Sequence, residues 1–388
     1  VYGVAAALGV VAGYRFIRAL QSNDELVHIK HKHTSPVVKK DIGFHIPGHP
    51  RRAATATADT PADAVGVVPD LPDAPRSKDD IHVVFSTDCS AYQDWQSFLL
   101  FHSAQAAGQT SRMTRIASGC SEEDQARLTD MHRHLPRVHG IHFTPDYAMK
   151  YPDGEVYPFN NKPNGLLHFL RHASPPITET VIALVDPDMV VLRPITPYVD
   201  ENVEKFRPGH PHGPTRGRNT HWVTRGHPVS QSYAYGGAWS RWPELRSFMP
   251  ADSPVFFMDE EEANRFYTAG PPYLAHTADW LRIAEKWAEY SPLTFRVRPG
   301  LLAEMQAWSL AVVQVGLPNT VVYTYMVSDL DSGADEGWEY IDAVPKEGTC
   351  LSPAAVRGMH GAEGPDGRIQ TLPVVLHYCQ VRGENEKE

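Results

Sequence analysis

The chain has 388 residues, of which 42% are hydrophobic and 21% charged, and its net charge is −10. That length and balance are those of a globular protein with ample material for a large core. The acidic balance excludes nucleic-acid binding through a broad basic surface, so no nucleic-acid partner is expected.

The first fourteen residues, Val1 to Tyr14, are almost purely apolar and small, and Arg15 and Arg18 follow them. Fourteen residues fall short of the ~20 that a spanning helix needs, unless upstream residues or snorkelling arginines extend the span. Signal anchor, signal peptide and buried helix all fit this pattern. A membrane anchor over 1–20 is the favoured expectation, and the downstream arginines argue against a cytosolic N-terminus. Residues 21–80 read as a stem, because Arg51 to Lys78 consists largely of Ala, Thr, Pro and Asp and has no means of building a core.

From Ile81 the texture changes, and 81–388 is expected to be one catalytic domain. Ile81 to Thr87 reads as a strand. Tyr92 to Ala107 reads as a helix with Trp95, Phe98, Leu99, His102 and Ala106 on one side. Thr114 to Ala117 suits a short second strand, and Asn164 to His172 a helix. Val181 to Val185 is a fully buried strand. Glu204 to Trp242, rich in Gly, Pro, His and Arg, reads as a long loop region. Ala278 to Tyr290 and Leu301 to Val315 are helices, and Val374 to Tyr378 is a late strand. Alternating strands and helices imply an α/β fold with a doubly wound, mostly parallel sheet.

The most informative segment is Val185-Asp186-Pro187-Asp188-Met189. Two carboxylates stand where a buried strand stops, and ligands of open α/β sheets collect beyond such strand ends. Carboxylate oxygens suit a hard divalent ion, and that ion suits a diphosphate. An acidic turn is the plain alternative. Most of the twenty histidines lie in polar stretches such as His28 to His33 and His210 to His212, and read as solvated. The four cysteines, Cys89, Cys120, Cys350 and Cys379, show no CxxC spacing, so no structural zinc site is expected. Two disulfides, with three possible pairings, and four buried thiols both remain open.

Five ordered blocks carry a resemblance. They are Phe85 to Gln96 with His102-Ser103; Tyr157-Pro158-Phe159-Asn160-Asn161-Lys162-Pro163 with Gly165; and Val185 to Met189 through Arg193-Pro194. The helix with His276, Asp279, Leu281 and Trp287 leads into Ala303-Glu304-Met305, and Leu376-His377-Tyr378 closes the series. Together they resemble the peptidyl serine α-galactosyltransferases of plants and algae, relatives of the hydroxyproline O-arabinosyltransferases. The resemblance covers roughly Ile81 to Val381. It implies a GT-A-like, Rossmann-like domain behind an N-terminal apolar helix and stem. It further implies a UDP-sugar donor, galactose first, and Mn²⁺ or Mg²⁺. The acceptor would be Ser or hydroxyproline of secreted, hydroxyproline-rich glycoproteins, with retention of donor stereochemistry. The location would be the Golgi or endoplasmic reticulum membrane, single-pass, with a lumenal catalytic domain. The Gly/Pro/His-rich stretch from Phe206 to Val229 departs from the family pattern.

Within that frame Asp186, Asp188 and His377 are the candidate metal ligands, and a neutral imidazole favours Mn²⁺ over Mg²⁺. Asp88 is expected at the uracil or ribose, or as a helix cap. Tyr92 is placed near the base, while core packing is the favoured role of Trp95. Lys162 approaches the diphosphate at a helix N-terminus, and Asn160 and Asn161 either position donor hydroxyls or cap the turn. Glu304, on an otherwise apolar helix, is the candidate facing the anomeric carbon or acceptor hydroxyl, with an exposed first-turn acid as its alternative. Asp279 is the second catalytic candidate, expected at the sugar or acceptor, with a first-turn acid of the Ala278 to Tyr290 helix as its alternative. Competing functions are an arabinosyltransferase, a non-catalytic transferase-fold subunit of a membrane complex, and a metal-dependent hydrolase. The last is weakened by the absence of a second carboxylate cluster or an HExxH.

Overall fold

The computed structural model describes residues 71–151, 154, 156–201, 219–233, 235–328, 336, 352–362 and 371–378. The expected anchor, most of the expected stem, residues 202–218, Cys350 and Cys379 lie outside them. Among the described residues no helix is long and apolar enough to cross a membrane.

The first half of the fold runs β1 (Ile81–Thr87), α1 (Ala91–Ala107), β2 (Met113–Ser118), α2 (Glu122–Arg133), β3 (His139–Thr144), α3 (Asn161–His172), β4 (Val181–Val185) and β5 (Met189–Val191). The second half runs β6 (Val229–Ser232), β7 (Ala269–His276), α4 (Thr277–Val297), α5 (Ala303–Gln314), β8 (Thr320–Val322), β9 (Met326–Val327) and β10 (Val375–His377). Seven of these strands form one sheet in the order β8-β6-β7-β4-β1-β2-β3. Strands β4, β1, β2 and β3 are parallel, and β7 runs antiparallel to both β4 and β6. The expected mostly parallel α/β sheet is therefore present. The chain moves outward from β1 to β3 and then returns to place β4 on the other side of β1. The carboxyl ends of β1 and β4 flank that reversal, the place where ligands of such sheets bind.

The apolar runs of β1 and β4 follow from burial on both faces. Ile81, Val83, Phe85, Val181, Ala183 and Val185 pack with Leu100 and Phe101 on one side. Val84, Ile182 and Leu184 pack on the other side with Trp280, Trp287 and Trp308. Each of these Val, Leu, Ile and Phe side chains contributes about 1.5–3 kcal/mol on burial. The indoles of Trp280 and Trp287 donate to the carbonyls of Ile182 and Glu304, so their polar atoms are satisfied. Helix α3 lies close against β2: a Cβ at Gly165 would come within 3.1 Å of Ile116 and 3.2 Å of Ser118 Oγ.

Two expectations are corrected. Helix α1 does not bury the side carrying Trp95, Leu99, His102 and Ala106; it buries Asp94, Ser97, Leu100, Phe101 and Ala104. The cause is Arg115, fully buried on β2, whose guanidinium draws Asp94 inward at 2.8 Å. Its other donors reach the Thr87 hydroxyl at 2.8 Å and the Asp88 carbonyl at 2.9 Å. Second, the expected loop over 204–242 contains β6, a buried strand of the main sheet. Strand β7, unassigned from the sequence, includes Ala269-Gly270-Pro271-Pro272-Tyr273, although prolines are rare inside sheets. The β6–β7 register shifts between Ser230 and Gln231, so the two prolines fall where no ladder donor is needed. Residues within the expected stem also join the fold. Asp80 accepts from the Thr180 amide and hydroxyl, and the Pro72 carbonyl faces His276 Nε2 at 3.0 Å.

Candidate active site and metal centre

Strand β4 ends at Val185, and the turn Asp186-Pro187-Asp188 carries the chain into β5. Strand β10 pairs antiparallel with β5, with His377 opposite Met189, which brings the imidazole beside Asp188. Asp186, Asp188 and His377 each offer a ligand atom, all within 4.8 Å of one another. Two carboxylates and one imidazole fit the divalent ion that the resemblance implies, and the nitrogen suits Mn²⁺ better than Mg²⁺. His377 Nε2 lies 3.0 Å from Asp188 Oδ1, and its Nδ1 lies 3.1 Å from the Tyr233 hydroxyl. A phenol both donates and accepts, so Tyr233 supports either imidazole tautomer while fixing the ring. Burial opposes the charge on Asp188, yet the His377 contact outweighs it and holds this carboxyl below its ordinary value.

Lys162, in the first turn of α3, links the turn to α5. Its Nζ lies 2.7 Å from Asp186 Oδ1 and 3.4 Å from Glu304 Oε2. Burial disfavours the ammonium, but the two carboxylates outweigh that cost and raise its pKa. Glu304 is 4% exposed, and its Oε1 has no hydrogen-bond partner among the described protein atoms. Burial chiefly, with the Asp186 charge, pushes Glu304 up to about 7 against the pull of Lys162. The exposed-acid reading of Glu304 is thereby excluded. The phenols of Tyr157 and Tyr273 are raised by burial and then by the Glu304 charge.

At the end of β1, Asp88 is exposed and accepts from the Ser90 amide at 2.8 Å and hydroxyl at 2.6 Å. Ser90 rather than Asp88 caps α1. Cys89, beside it, is bonded to Cys120, so one of the open pairings is formed, across the ends of β1 and β2. Trp95 is 41% exposed instead of packed in the core, and it stacks on Tyr378 and meets Tyr92 edge-on. The Tyr378 amide donates to the Asp188 carbonyl, so this aromatic ledge adjoins the carboxylates.

Asn160 donates to the Tyr147 carbonyl at 2.7 Å, and Asn161 accepts from the Tyr147 amide at 2.6 Å. Both pin the loop after β3 to the start of α3, and Asn160 makes no side-chain cap bond to the helix. Asp279 stands apart. Strand β7 pairs His276 with Val181, the start of β4, so α4 begins at the opposite end of the sheet from Asp186. There Asp279, 1% exposed, accepts from the Gly226 amide at 2.6 Å, as a buried first-turn acid. The structure thus joins Asp186, Asp188, His377, Lys162 and Glu304, keeps Asp88 and Tyr92 at the neighbouring strand end, and separates Asp279. Tyr233 had no sequence signal, except that Gly270 makes room for it: a Cβ there would fall 2.1 Å from the ring.

No family model matches the sequence. The chain is 31% identical over 155 residues, 40% of its length, to a peptidyl serine α-galactosyltransferase of Arabidopsis thaliana. It is 32% identical over 114 residues, 29% of its length, to one of Chlamydomonas reinhardtii. The matched stretches are 16% and 14% of those relatives' own lengths. Among solved structures, the galactosyltransferase LgtC with donor and acceptor sugar analogs aligns over 77% of this chain and 87% of its own, at 14% identity and a TM-score of 0.38. Over its matched stretches, the chain is similar in sequence to the peptidyl serine α-galactosyltransferases.

Proposed function

We propose that this chain is a metal-dependent glycosyltransferase that moves galactose from UDP-galactose to Ser or hydroxyproline of a secreted glycoprotein, with retention. The observation that supports it is the meeting of Asp186, Asp188, His377, Lys162 and Glu304 at the carboxyl end of β4; the relatives, peptidyl serine α-galactosyltransferases by name, supply the sugar. A lumenal domain behind a membrane anchor, in the Golgi or endoplasmic reticulum, belongs to the same proposal.

Asp186, Asp188 and His377 would hold the ion, which when bound neutralises charge on the departing diphosphate. Lys162 is placed to meet the same diphosphate from the first turn of α3, where the helix dipole adds to its charge. Glu304, buried beside Lys162, faces the region where positive character grows on the sugar as the C–O bond breaks, and its carboxylate form stabilises that charge. The acceptor hydroxyl attacks the anomeric carbon from the face that UDP leaves, and its proton passes to a phosphate oxygen of the departing UDP.

The test is a thermal melt with UDP and Mn²⁺, followed by assay with UDP-galactose and UDP-arabinose on Ser- and hydroxyproline-rich peptides. Ligand at about a hundred times Kd stabilises by about 2.7 kcal/mol. Asp186→Ala with Asp188→Ala should abolish that gain. No gain in the unaltered protein would overturn the proposal, and transfer of arabinose alone would replace the sugar.

A further inference from the structure

The last turns of α3 carry His168 and His172, and the adjacent edge strand β3 carries His142. These three differ from solvated loop histidines because regular elements hold them together. His142 Nε2 lies 2.9 Å from His168 Nδ1, and their ring centroids are 5.1 Å apart. The His168 and His172 rings follow at 4.6 Å. Phe169 meets the His142 ring edge-on at 5.2 Å and steadies it. His142 and His168 are half-buried, whereas His172 is exposed.

Two nitrogens bound to one ion at about 2.05 Å stand about 2.9–3.4 Å apart for angles between right and tetrahedral. The His142–His168 pair already has that separation. Burial, and then the charges of neighbouring histidines, lower both rings, His142 to about 4. Each neutral ring offers one lone pair, so the ring that donates across the 2.9 Å contact shifts to its other tautomer when an ion binds. The C-terminal end of a helix also favours a cation.

We infer that His142, His168 and His172 form a second cation site, for a borderline transition ion of the Zn²⁺ class, with the exposed His172 ring turning in as the third ligand. Imidazole donors select such ions over the oxygen-seeking Mg²⁺ and Ca²⁺. Lys162 and His172 are about 15 Å apart along the helix, so this site is separate from the Asp186 turn. A bound ion would clamp the edge strand to α3.

The test uses the full chain, stripped with chelator and titrated with Zn²⁺ by calorimetry and by thermal melting. Because the chain holds 20 histidines, the readout is the affinity lost between variants, not the number of ions bound. His168→Gln and His172→Gln should each weaken the affected site at least tenfold and remove the Zn²⁺-dependent rise in Tm. The double variant Asp186→Asn with Asp188→Asn should retain that rise. His172 is exposed, so its replacement leaves the metal-free melting point in place as a check on folding. Equal Zn²⁺ affinity and an equal rise in Tm in the histidine variants would overturn the site, as would loss of the rise only in the aspartate variant. Neither outcome bears on the UDP and Mn²⁺ test.

Discussion

Acid should destabilise this fold from about pH 6.5 downward, because it buries neutral imidazoles. His132, His139 and His142 are each pushed down to about 4, chiefly by burial. His132 and His139 flank Phe101, and neither His132 nitrogen has a hydrogen-bond partner among the described residues. A histidine whose folded value lies below its unfolded value contributes full stability above about 6.5 and loses it as pH falls toward 4. Between pH 7.5 and 5 each such ring loses about 2 kcal/mol, so the three lose roughly 6 if independent. Glu304 runs the other way. Its folded value near 7 is raised, so protonation below 7 favours the fold and returns roughly 2 kcal/mol over the same range. The net loss of roughly 4 kcal/mol is a large part of the 5–15 kcal/mol typical of a whole domain. Urea denaturation across pH 5 to 7.5 measures it. His139→Phe, which keeps a flat ring against Phe101, should flatten the loss by about 2 kcal/mol. Ring signals that titrate near 6.5 in the folded protein, or an unchanged pH slope in this variant, would refute the reasoning.

Two further perturbations probe the packing around the site. Asp94→Asn leaves the buried Arg115 guanidinium without its anion; the expected cost is about 3–5 kcal/mol by urea denaturation, whereas Arg115→Met with Asp94→Leu should be close to neutral. A loss under about 1 kcal/mol in the single variant would show that the Thr87 hydroxyl and the Asp88 carbonyl satisfy the buried guanidinium without its anion. Gly270→Ala drives a methyl into the Tyr233 ring and the Met305 methyl. Mn²⁺ affinity, read by titration of the free-ion resonance signal, should fall about 10–100-fold as Tyr233 loosens from His377, and Tyr233→Phe should reproduce part of the loss. Unaltered affinity in both variants would remove Tyr233 from the metal centre.

The legible parts of the fold are those where one physical requirement acts alone. Burial on two faces forces the apolar runs of β1 and β4, and the strand end then places Asp186 and Asp188. Helix α4 declares itself by periodicity, and α5 by a long run that is apolar almost all round. Helix α2 escaped because it buries only Leu128 and His132 and is polar elsewhere. Helix α1 was read with the wrong side inward because a buried arginine, invisible in the helix's own pattern, selects an aspartate over a tryptophan. The position of Asp279 depends on the direction of β7, and the Pro271-Pro272 pair disguised that strand. Glu304 is legible as an acid on an apolar helix and Lys162 by its place at a helix start, but their meeting at 3.4 Å, across 142 residues, is a product of the tertiary fold.

The ammonium held between Asp186 and Glu304 has one more consequence. A cluster of acids with no internal cation relies on a captured ion to keep it from flying apart, and such proteins unravel in chelator. Here the chain carries its own counter-charge on α3. Stripping the pocket should silence turnover while leaving the architecture standing, ready to be recharged.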